Sequence, residues 1–350
     1  MHTTRTAILN IQSVARWMQQ IYTQNSFSLR CIAGATFVFC LVIGQSSFAA
    51  ITWNLTYEDI SNDSGVGFDD SSTGAARRSV FESALSYVSD VLNESGTVNL
   101  TIRESLTSGT GSLASAGSSY FFGGGFQQGI VQQNILNVGP GTSITGSHGS
   151  ARFDFGYSWN ESLAAPDAGE FDLFSVSLHE ISHAIGFASL MNSDGTSPIG
   201  VSDSTSNTYS TYDQFLRLDD GTELFNASGE FIGTPADLTS NSVVFDGVNA
   251  SVANAASVVD IYSPATFNDG SSISHILDSN SVMQFSIAPQ VTRRTYSEIE
   301  IGILQDIGYA NASATAVPEP TSLVLVLASL FCVLAWRRSN RSFPLAKTAA

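Results

Sequence analysis

The pattern of apolar and polar side chains predicts a domain that opens with a strand, a helix and a second strand. Residues 51–60 alternate between apolar and polar side chains, which predicts a β-strand with one buried face. Residues 73–93 repeat apolar side chains at helical spacing and predict an amphipathic helix, and residues 97–102 alternate again. The apolar face of that helix comprises Phe81, Ala84, Leu85, Val88, Val91 and Leu92.

The middle of the chain carries a weaker pattern. Residues 105–125 are rich in serine and glycine and predict a long loop, whereas residues 151–159 alternate and predict a third strand. A helix follows shortly afterwards, and Asp172 is placed to cap its N-terminus.

The last part of the pattern predicts short strands and a closing helix. Residues 212–218 and 242–247 predict the strands, and residues 297–307 predict the helix. We therefore expect one α+β domain with a mixed sheet, spanning residues 50–316 and without internal repeats. The inward-facing side chains of the closing helix are Ile299, Ile303, Leu304 and Ile307.

A short apolar segment near the N-terminus, residues 31–44, predicts a secretory signal. It follows Arg30, and residues 47–49 (SFA) place small side chains at positions −3 and −1 of a cleavage site. The signal peptide would then occupy residues 1–49. Because the segment before the apolar run is unusually long, translation could begin at Met18. The alternative is an N-terminal membrane anchor, for which the apolar run is short.

A second signal-like segment, VPEPTSLVLVLASLFCVLAWRRSNR, occupies residues 317–341. Its proline-rich start precedes an apolar run over residues 323–336, and three arginines follow, which would stay on the cytoplasmic side. This three-part pattern resembles the PEP-CTERM sorting signal of Gram-negative bacteria. The resemblance implies recognition by an exosortase-type membrane enzyme, transient anchoring through residues 321–336, and release to the cell surface, envelope or extracellular matrix. A plain C-terminal transmembrane anchor is the alternative.

Cysteine and charge composition constrain the mature region. This region, residues 50–316, contains no cysteine, so neither disulfides nor cysteine metal ligands are expected there. It holds 30 aspartates and glutamates against seven arginines and no lysine, a net charge of −23. This excess argues against nucleic acid or an anionic membrane as a partner and suits a soluble exported protein. The chain's cysteines are Cys31, Cys40 and Cys332.

Two histidines in the stretch LHEISHAIGFASL lie four positions apart on the predicted helix. His179 and His183 therefore project from one face and can bind the same metal ion, with Glu180 beside them. A glutamate in this position can take a proton from a water molecule that zinc activates, which is the HExxH arrangement of zinc hydrolases. The other histidines of the chain are His2, His148 and His275.

The residues after HExxH indicate where a third ligand lies. Gly186 can take a left-handed conformation and end the helix, and HExxHxxG is the start of the metzincin motif. The compact form of that motif has its third histidine at the position of Ser189, so the third ligand must come from further along the chain. His275 is the preferred candidate, and Met283 follows it by eight residues.

A distant histidine followed by a methionine turn resembles the leishmanolysin-like branch of the metzincin zinc proteases, here over residues 173–309. The resemblance implies a metzincin-like domain of mixed sheet, with an active-site helix, a long insertion over residues 187–274 and a C-terminal helix. It implies a Zn²⁺ ion, with Glu180 as the general base. The implied metal ligands are His179, His183 and His275, with Gly186 and Met283 as structural residues near the site.

Other third ligands stay open at this point. Either glutamate on the last helix would give a gluzincin-type site, and Met283 could be an ordinary core residue. Some metzincins carry a tyrosine two residues after this methionine; Phe285 stands there in this chain, so no second oxyanion donor is expected. The alternative ligands are Glu298, Glu300, Asp203, Asp213 and the loop histidine His148.

Together these features predict an exported zinc metalloendopeptidase that acts on a protein or peptide substrate. We expect the substrate to bind by strand addition along residues 151–159, and Glu180 to carry a proton from water to the leaving amine. A non-catalytic surface or matrix protein with a structural zinc site is the alternative, against which an intact Glu180 argues. A zinc hydrolase acting on another kind of bond is a third hypothesis.

Overall fold

The computed structural model describes residues 50–199 and 207–314, which form a mixed α+β fold as predicted. The predicted secretory signal, the predicted sorting signal and Asp203 lie outside these residues and stay sequence-based predictions. Within the described part of the chain, no helix combines the length and apolar character that crossing a bilayer requires.

The described residues contain eleven strands and six α-helices. The strands are β1 Thr52–Tyr57, β2 Thr97–Ile102, β3 Ala114–Ser118, β4 Gly125–Gln127, β5 Gly149–Phe153, β6 Trp159–Asn160, β7 Phe171–Asp172, β8 Thr208–Ser210, β9 Leu216–Leu218, β10 Val243–Phe245 and β11 Val259–Asp260. The helices are α1 Glu58–Ser61, α2 Gly74–Leu92, α3 Ile130–Leu136, α4 Leu173–Ala184, α5 Val248–Ala253 and α6 Glu298–Asp306.

Four strands form the main sheet, in the order β1-β2-β5-β3. β1, β2 and β5 are parallel, whereas β3 runs antiparallel to β5 with Ala116 beside Ala151. Parallel neighbours need a crossover connection, which α2 provides between β1 and β2. β3 is an edge strand, and no other described strand pairs with its outer side.

Helix α2 confirms the amphipathic helix predicted over residues 73–93. Its six predicted apolar side chains are all buried, and Phe81 packs edge-to-face against Phe153 of β5. The helix also packs against α4, the helix that carries HExxH. It ends where Asn93 takes a left-handed conformation with φ of 51°, which asparagine tolerates better than most residues.

The strand predicted over residues 51–60 is too long in its second half. β1 ends at Tyr57 and α1 follows, because the buried Asp59 carboxylate accepts hydrogen bonds from the backbone N–H groups of Phe68 and Ser105, both at 2.9 Å. These two bonds join distant segments. The alternation of apolar and polar side chains in residues 51–60 therefore cannot predict where β1 ends.

The prediction of a loop over residues 105–125 is wrong, because this segment contains strand β3. The sequence of β3, ASAGS, has no large apolar side chain, so its extended conformation depends on pairing with β5 rather than on intrinsic preference. Serine and glycine enrichment therefore marked an edge strand here, and its small side chains leave the outer side of the backbone uncovered.

The strand predicted over residues 151–159 ends early. β5 stops at Phe153, and the next carboxylate, Asp154, accepts hydrogen bonds from Gly109 N at 3.0 Å and Gly156 N at 2.8 Å, which turn the chain. β5 also lies inside the sheet between β2 and β3. Both of its edges are occupied, so a peptide cannot pair with it as predicted.

The second half of the chain follows the pattern more closely. β9, β10 and β11 form a small antiparallel sheet that contains the strands predicted within residues 212–218 and 242–247, although Asp213–Phe215 is a 3₁₀ turn. Helix α6 confirms the predicted closing helix. Ile303, Leu304 and Ile307 are buried as predicted, and Ile299 is partly buried.

Helix α4 begins at a capping residue that is also half of an ion pair. Asp172 is fully buried, and its carboxylate accepts a hydrogen bond from Ser175 N at 3.0 Å, as predicted for an N-cap. The same carboxylate pairs with the guanidinium of Arg294, whose side chain is 25 % exposed. This pair ties the start of the HExxH helix to the segment that leads into α6.

We expect Asp172→Ala to lower the free energy of unfolding by about 3 kcal/mol, because it removes a helix cap and leaves Arg294 without its buried partner. Urea unfolding of the purified protein measures this. Asp167→Asn, at an exposed position five residues earlier, is the control and should change stability by less than about 0.5 kcal/mol. Equal effects of the two substitutions would contradict the role given to Asp172.

Candidate metal centre

Helix α4 and the turn that ends it position the first two histidines. His179 and His183 lie one turn apart on the cleft side of the helix, with ring centroids 4.7 Å apart. The helix ends at Ala184, and Gly186 follows with φ of +109°, a conformation that favours glycine. The turn brings the Phe187 carbonyl back to within 2.9 Å of His183 Nδ1.

Backbone pairing around His275 brings it to the same place. Its carbonyl accepts a hydrogen bond from Tyr262 N at 2.8 Å, and the next residue, Ile276, donates to the Met283 carbonyl at 2.9 Å. On the other side, Ser274 Oγ accepts a hydrogen bond from Ser189 N at 3.1 Å. Ser189, which occupies the position of the third histidine in the compact motif, is thus hydrogen-bonded to Ser274, the residue before His275.

The three histidines converge through their Nε2 atoms, which confirms the predicted grouping of His179, His183 and His275. The His179–His183 distance is 3.1 Å, and each of these nitrogens lies 3.2 Å from Nε2 of His275. A tetrahedral ion bound ~2.0–2.1 Å from each nitrogen needs neighbouring nitrogens about 3.3–3.4 Å apart. The spacing in this site is close to that requirement.

Hydrogen bonds at the opposite ring nitrogens fix the tautomer of each histidine. Nδ1 of His179 donates to the Val282 carbonyl at 2.8 Å, and Nδ1 of His275 donates to the Ser271 carbonyl at 2.6 Å. His183 makes the equivalent bond to the Phe187 carbonyl described above. Because Nδ1 carries the proton in each ring, all three Nε2 lone pairs face the centre, which is the usual arrangement of metal-binding histidines.

Burial keeps these imidazoles neutral. It is the main cause that lowers the pKa of His275 to about 3 and lowers the pKa of His183, and it holds the pKa of His179 well below its ordinary value. Three neutral rings with lone pairs about 3 Å apart repel one another, and protonation does not relieve the repulsion at neutral pH. A bound cation does, so the residues fit a metal ion. Three imidazoles suit several divalent transition metals.

Glu180 lies beside the histidines with one oxygen unused. Its side chain is buried in the cleft wall, and Oε2 has no hydrogen-bond partner among the described residues. Burial raises the pKa of Glu180 to about 8, while a hydrogen bond from the Ala116 backbone acts in the opposite direction. A cation at the histidines would lower this pKa again. The free oxygen is available to a water molecule.

Met283 follows Val282 in a turn next to the site, and Glu300 holds this turn by hydrogen bonds. Met283 is fully buried, and its N–H donates to Glu300 Oε1 at 2.9 Å, as does the Ser281 hydroxyl at 2.7 Å. The other oxygen of Glu300 accepts from Ser297 N at 2.7 Å in the capping box of α6. Since Val282, within this turn, accepts the bond from His179, Glu300 supports a ligand without being one.

The alternative third ligands that the structure describes do not approach the histidines. Asp213 is buried and accepts hydrogen bonds from Leu190 N at 3.1 Å and Ser210 N at 2.8 Å. His148 is in a loop as predicted, and both of its ring nitrogens are hydrogen-bonded, to Asn99 N and the Ile144 carbonyl. The residues excluded from the histidine cluster are Glu298, Glu300, Asp213 and His148.

A cleft of about 520 Å³ opens over the histidines. One wall is β3 with the residues before it, and the other includes residues 284–287 and Arg293. Phe285 lies at this second wall and stacks on Tyr262, with ring centroids 3.9 Å apart. Sequence reasoning missed both β3 and Arg293. β3 could be anticipated only from its pairing, and Arg293 only from its proximity to the histidines in three dimensions.

We expect His275→Ala to lower the affinity for zinc by more than about 100-fold, because removing a ligand costs more than removing a residue that supports one. The measurement is the metal content of the zinc-loaded, dialysed protein. His148→Ala removes another buried histidine and is the matched control, which should keep the wild-type content. Retention of one metal ion per chain by His275→Ala would contradict the three-histidine site.

Comparison with known proteins adds no relative to this description. No protein-family model matches the chain, and no curated protein or solved structure matches it significantly. Function is therefore inferred from the histidine cluster, Glu180 and the cleft above them.

Proposed function

We propose that this protein is a zinc-dependent metalloendopeptidase of the metzincin type, close to the leishmanolysin-like branch. The observation that carries the proposal is the convergence of three neutral Nε2 atoms next to a buried carboxylate with an unpaired oxygen. Both groups line an open cleft, so a substrate can reach them. A structural zinc site closes its coordination with a fourth protein ligand, whereas three protein ligands and an open side are typical of catalytic zinc.

His179, His183 and His275 would hold the Zn²⁺ ion through Nε2. When bound, zinc supplies a Lewis acid that lowers the pKa of a coordinated water and polarises the carbonyl of the bond to be cleaved. The backbone carbonyls of residues 187, 271 and 282 keep the three rings in the required tautomer and orientation.

Glu180 would act as the general base. Its free Oε2 takes the proton of the attacking water, and the protonated carboxyl then donates that proton to the leaving amine. The backbone N–H of Ala116, at the edge of β3, lowers the pKa of this carboxyl and so opposes the effect of burial.

The outer edge of β3 would bind the peptide. Leu113 accepts a hydrogen bond from Asp154 N and Ser119 donates to the His148 carbonyl, so the odd-numbered residues of this segment pair with the inner strand. In an antiparallel pair the alternate residues point their backbone groups outward. Ala114 therefore offers its N–H and C=O groups to an extended peptide running antiparallel to β3, and Ala116 offers its C=O group, since its N–H faces Glu180.

The location of the protein belongs to the same proposal. An N-terminal secretory signal over residues 1–49 and a PEP-CTERM signal over residues 317–341 would export the protease and deliver it, through an exosortase-type enzyme, to the envelope or extracellular matrix. The net charge of −23 over residues 50–316 and the lack of cysteine there are consistent with an exported domain that is stabilised by its core alone.

We expect Glu180→Gln to keep one zinc ion per chain and to lower peptide hydrolysis by about 10²–10⁴-fold, because the amide cannot take up the proton. Zinc content and cleavage of casein are measured on the same preparation. Glu298→Gln is the control: it neutralises an exposed glutamate on α6 that was an alternative ligand, and both readouts should match wild type.

Two results would contradict this function. Full casein hydrolysis by Glu180→Gln would remove the general base from the mechanism. Zinc binding by the wild type with no hydrolysis of casein or peptides would favour the non-catalytic surface protein. Hydrolysis of ester or polysaccharide substrates in place of casein would instead identify a zinc hydrolase for another bond.

A further inference from the structure

Arg293 places a cation in the cleft next to the metal centre. Its side chain lines the cleft together with Val176 and His179. Nη1 donates to the Ser286 carbonyl at 2.8 Å and to Gln284 Oε1 at 3.3 Å, which anchors one side of the guanidinium. Within the described residues, Nε and Nη2 of Arg293 form no hydrogen bond. Both atoms are accessible from the cleft and are not buried without a partner. Those N–H groups are available to a ligand in the cleft.

No carboxylate neutralises this cation within ion-pairing distance in the part of the chain that the structure describes. Arg77, Arg217 and Arg294 pair with Glu161, with Glu223 and Asp246, and with Asp172, respectively. The acidic groups whose charge acts on Arg293 are Glu300 and the exposed Asp278. Glu300 is already committed to the hydrogen bonds of the Met283 turn and of the α6 cap. Four of the seven arginines in the described residues form no ion pair, and Arg293 is the one of these four that lines the cleft.

The position of Arg293 along the cleft follows from a chain of contacts. Its backbone N–H donates to Ser175 Oγ at 2.7 Å, in the first turn of α4. Phe171, just before that turn, packs edge-to-face on Tyr157, whose hydroxyl donates to the Gly111 carbonyl at 2.8 Å. All of these residues line the same cleft. Arg293 therefore lies toward the end of the cleft where β3 begins.

In the proposed binding mode, this end of the cleft receives the C-terminal half of the substrate. A peptide antiparallel to β3 runs from the Ser118 end toward the Ala114 end, so the residues after the cleaved bond lie beside the start of β3. The side chain that follows the cleaved bond, or the end of the chain itself, then comes within reach of Arg293.

Resting on the proposed protease function, we infer that Arg293 selects substrates with a carboxylate directly on the C-terminal side of the cleaved bond. The planar guanidinium binds a carboxylate through two parallel N–H···O bonds, and its anchoring by Ser286 and Gln284 reduces the ordering that binding requires. The carboxylate of the substrate can come from two sources. One is an aspartate or glutamate side chain after the cleaved bond, and the other is a free C-terminal carboxylate.

A matched peptide series tests the inference on the zinc-loaded protein. Quenched fluorescent peptides differ only at the residue after the cleaved bond, which is Asp, Asn, Ala or Lys, and a second pair compares a free with an amidated C-terminus. We expect kcat/KM for at least one carboxylate peptide to exceed that of its uncharged partner by about tenfold or more. Arg293→Gln should bring that ratio close to one.

Two further variants separate charge from geometry. Arg293→Lys keeps the charge without the fork and should retain part of the preference. Arg103→Gln removes an exposed arginine outside the cleft and should leave the ratio unchanged, which controls for net charge. Binding of the same peptides to zinc-loaded Glu180→Gln, followed by fluorescence anisotropy, gives dissociation constants that do not depend on turnover and should show the same order.

The outcomes separate this inference from the proposed function. A high Asp-to-Asn ratio identifies the side chain as the source of the carboxylate, and a high free-to-amide ratio identifies the chain end. Efficient cleavage with both ratios near one, or with ratios unaffected by Arg293→Gln, overturns the role of Arg293 and leaves the protease intact. Failure of the wild type to cleave any peptide overturns both.

Discussion

The structure depends on one electrostatic constraint: three neutral imidazoles point their Nε2 lone pairs at a common point, 3.1–3.2 Å from one another. Such an arrangement is repulsive in itself, and it persists because each ring is held from behind by a backbone carbonyl. The carbonyls belong to the turn after α4, the segment before His275 and the Met283 turn. A cation at the centre converts the same geometry into an attractive one, so that metal binding and folding of these segments stabilise each other.

Much of the surrounding fold can be seen as support for those carbonyls. The Asp172–Arg294 pair fixes the start of α4, and Gly186 allows the reversal that returns the chain under His183. Glu300 connects the last helix to the Met283 turn, and through Val282 to His179. This buried carboxylate accepts hydrogen bonds at both oxygens, which offsets the cost of its burial. Because both oxygens are used in this way, Glu300 is not a metal ligand.

The sequence predicted the elements whose signals are local. The apolar face of α2, the cap at Asp172 and the α6 helix with Ser297 at its start depend on side chains within a few turns of one another. The HExxH spacing likewise defines two ligands on one helix. The sequence leaves both His275 and several carboxylates open as the third ligand, because 92 residues separate His275 from His183 and only three-dimensional pairing distinguishes it from the carboxylates.

Elements that depend on distant partners could not be predicted. β3 carries no apolar alternation and is extended because β5 is beside it, while β5 was assigned to the cleft although it lies inside the sheet. The strand that borders the cleft is therefore β3 and not β5, and this changes the description of the site. The strand that faces the histidines is built from small side chains, so a peptide backbone can approach it closely.

The electrostatics of the domain and of its cleft act over different distances. A net charge of −23 repels acidic substrates at long range, but at physiological ionic strength this field decays over ~8 Å. Inside the cleft the contact between a carboxylate and Arg293 is screened far less, because both groups are partly removed from water. Long-range repulsion would slow the encounter with an acidic peptide, whereas the local cation would slow its departure and orient the bond over the histidines. Added salt therefore affects the two differently: it weakens the repulsion first, and a preference that depends on direct contact persists after the encounter rate has risen.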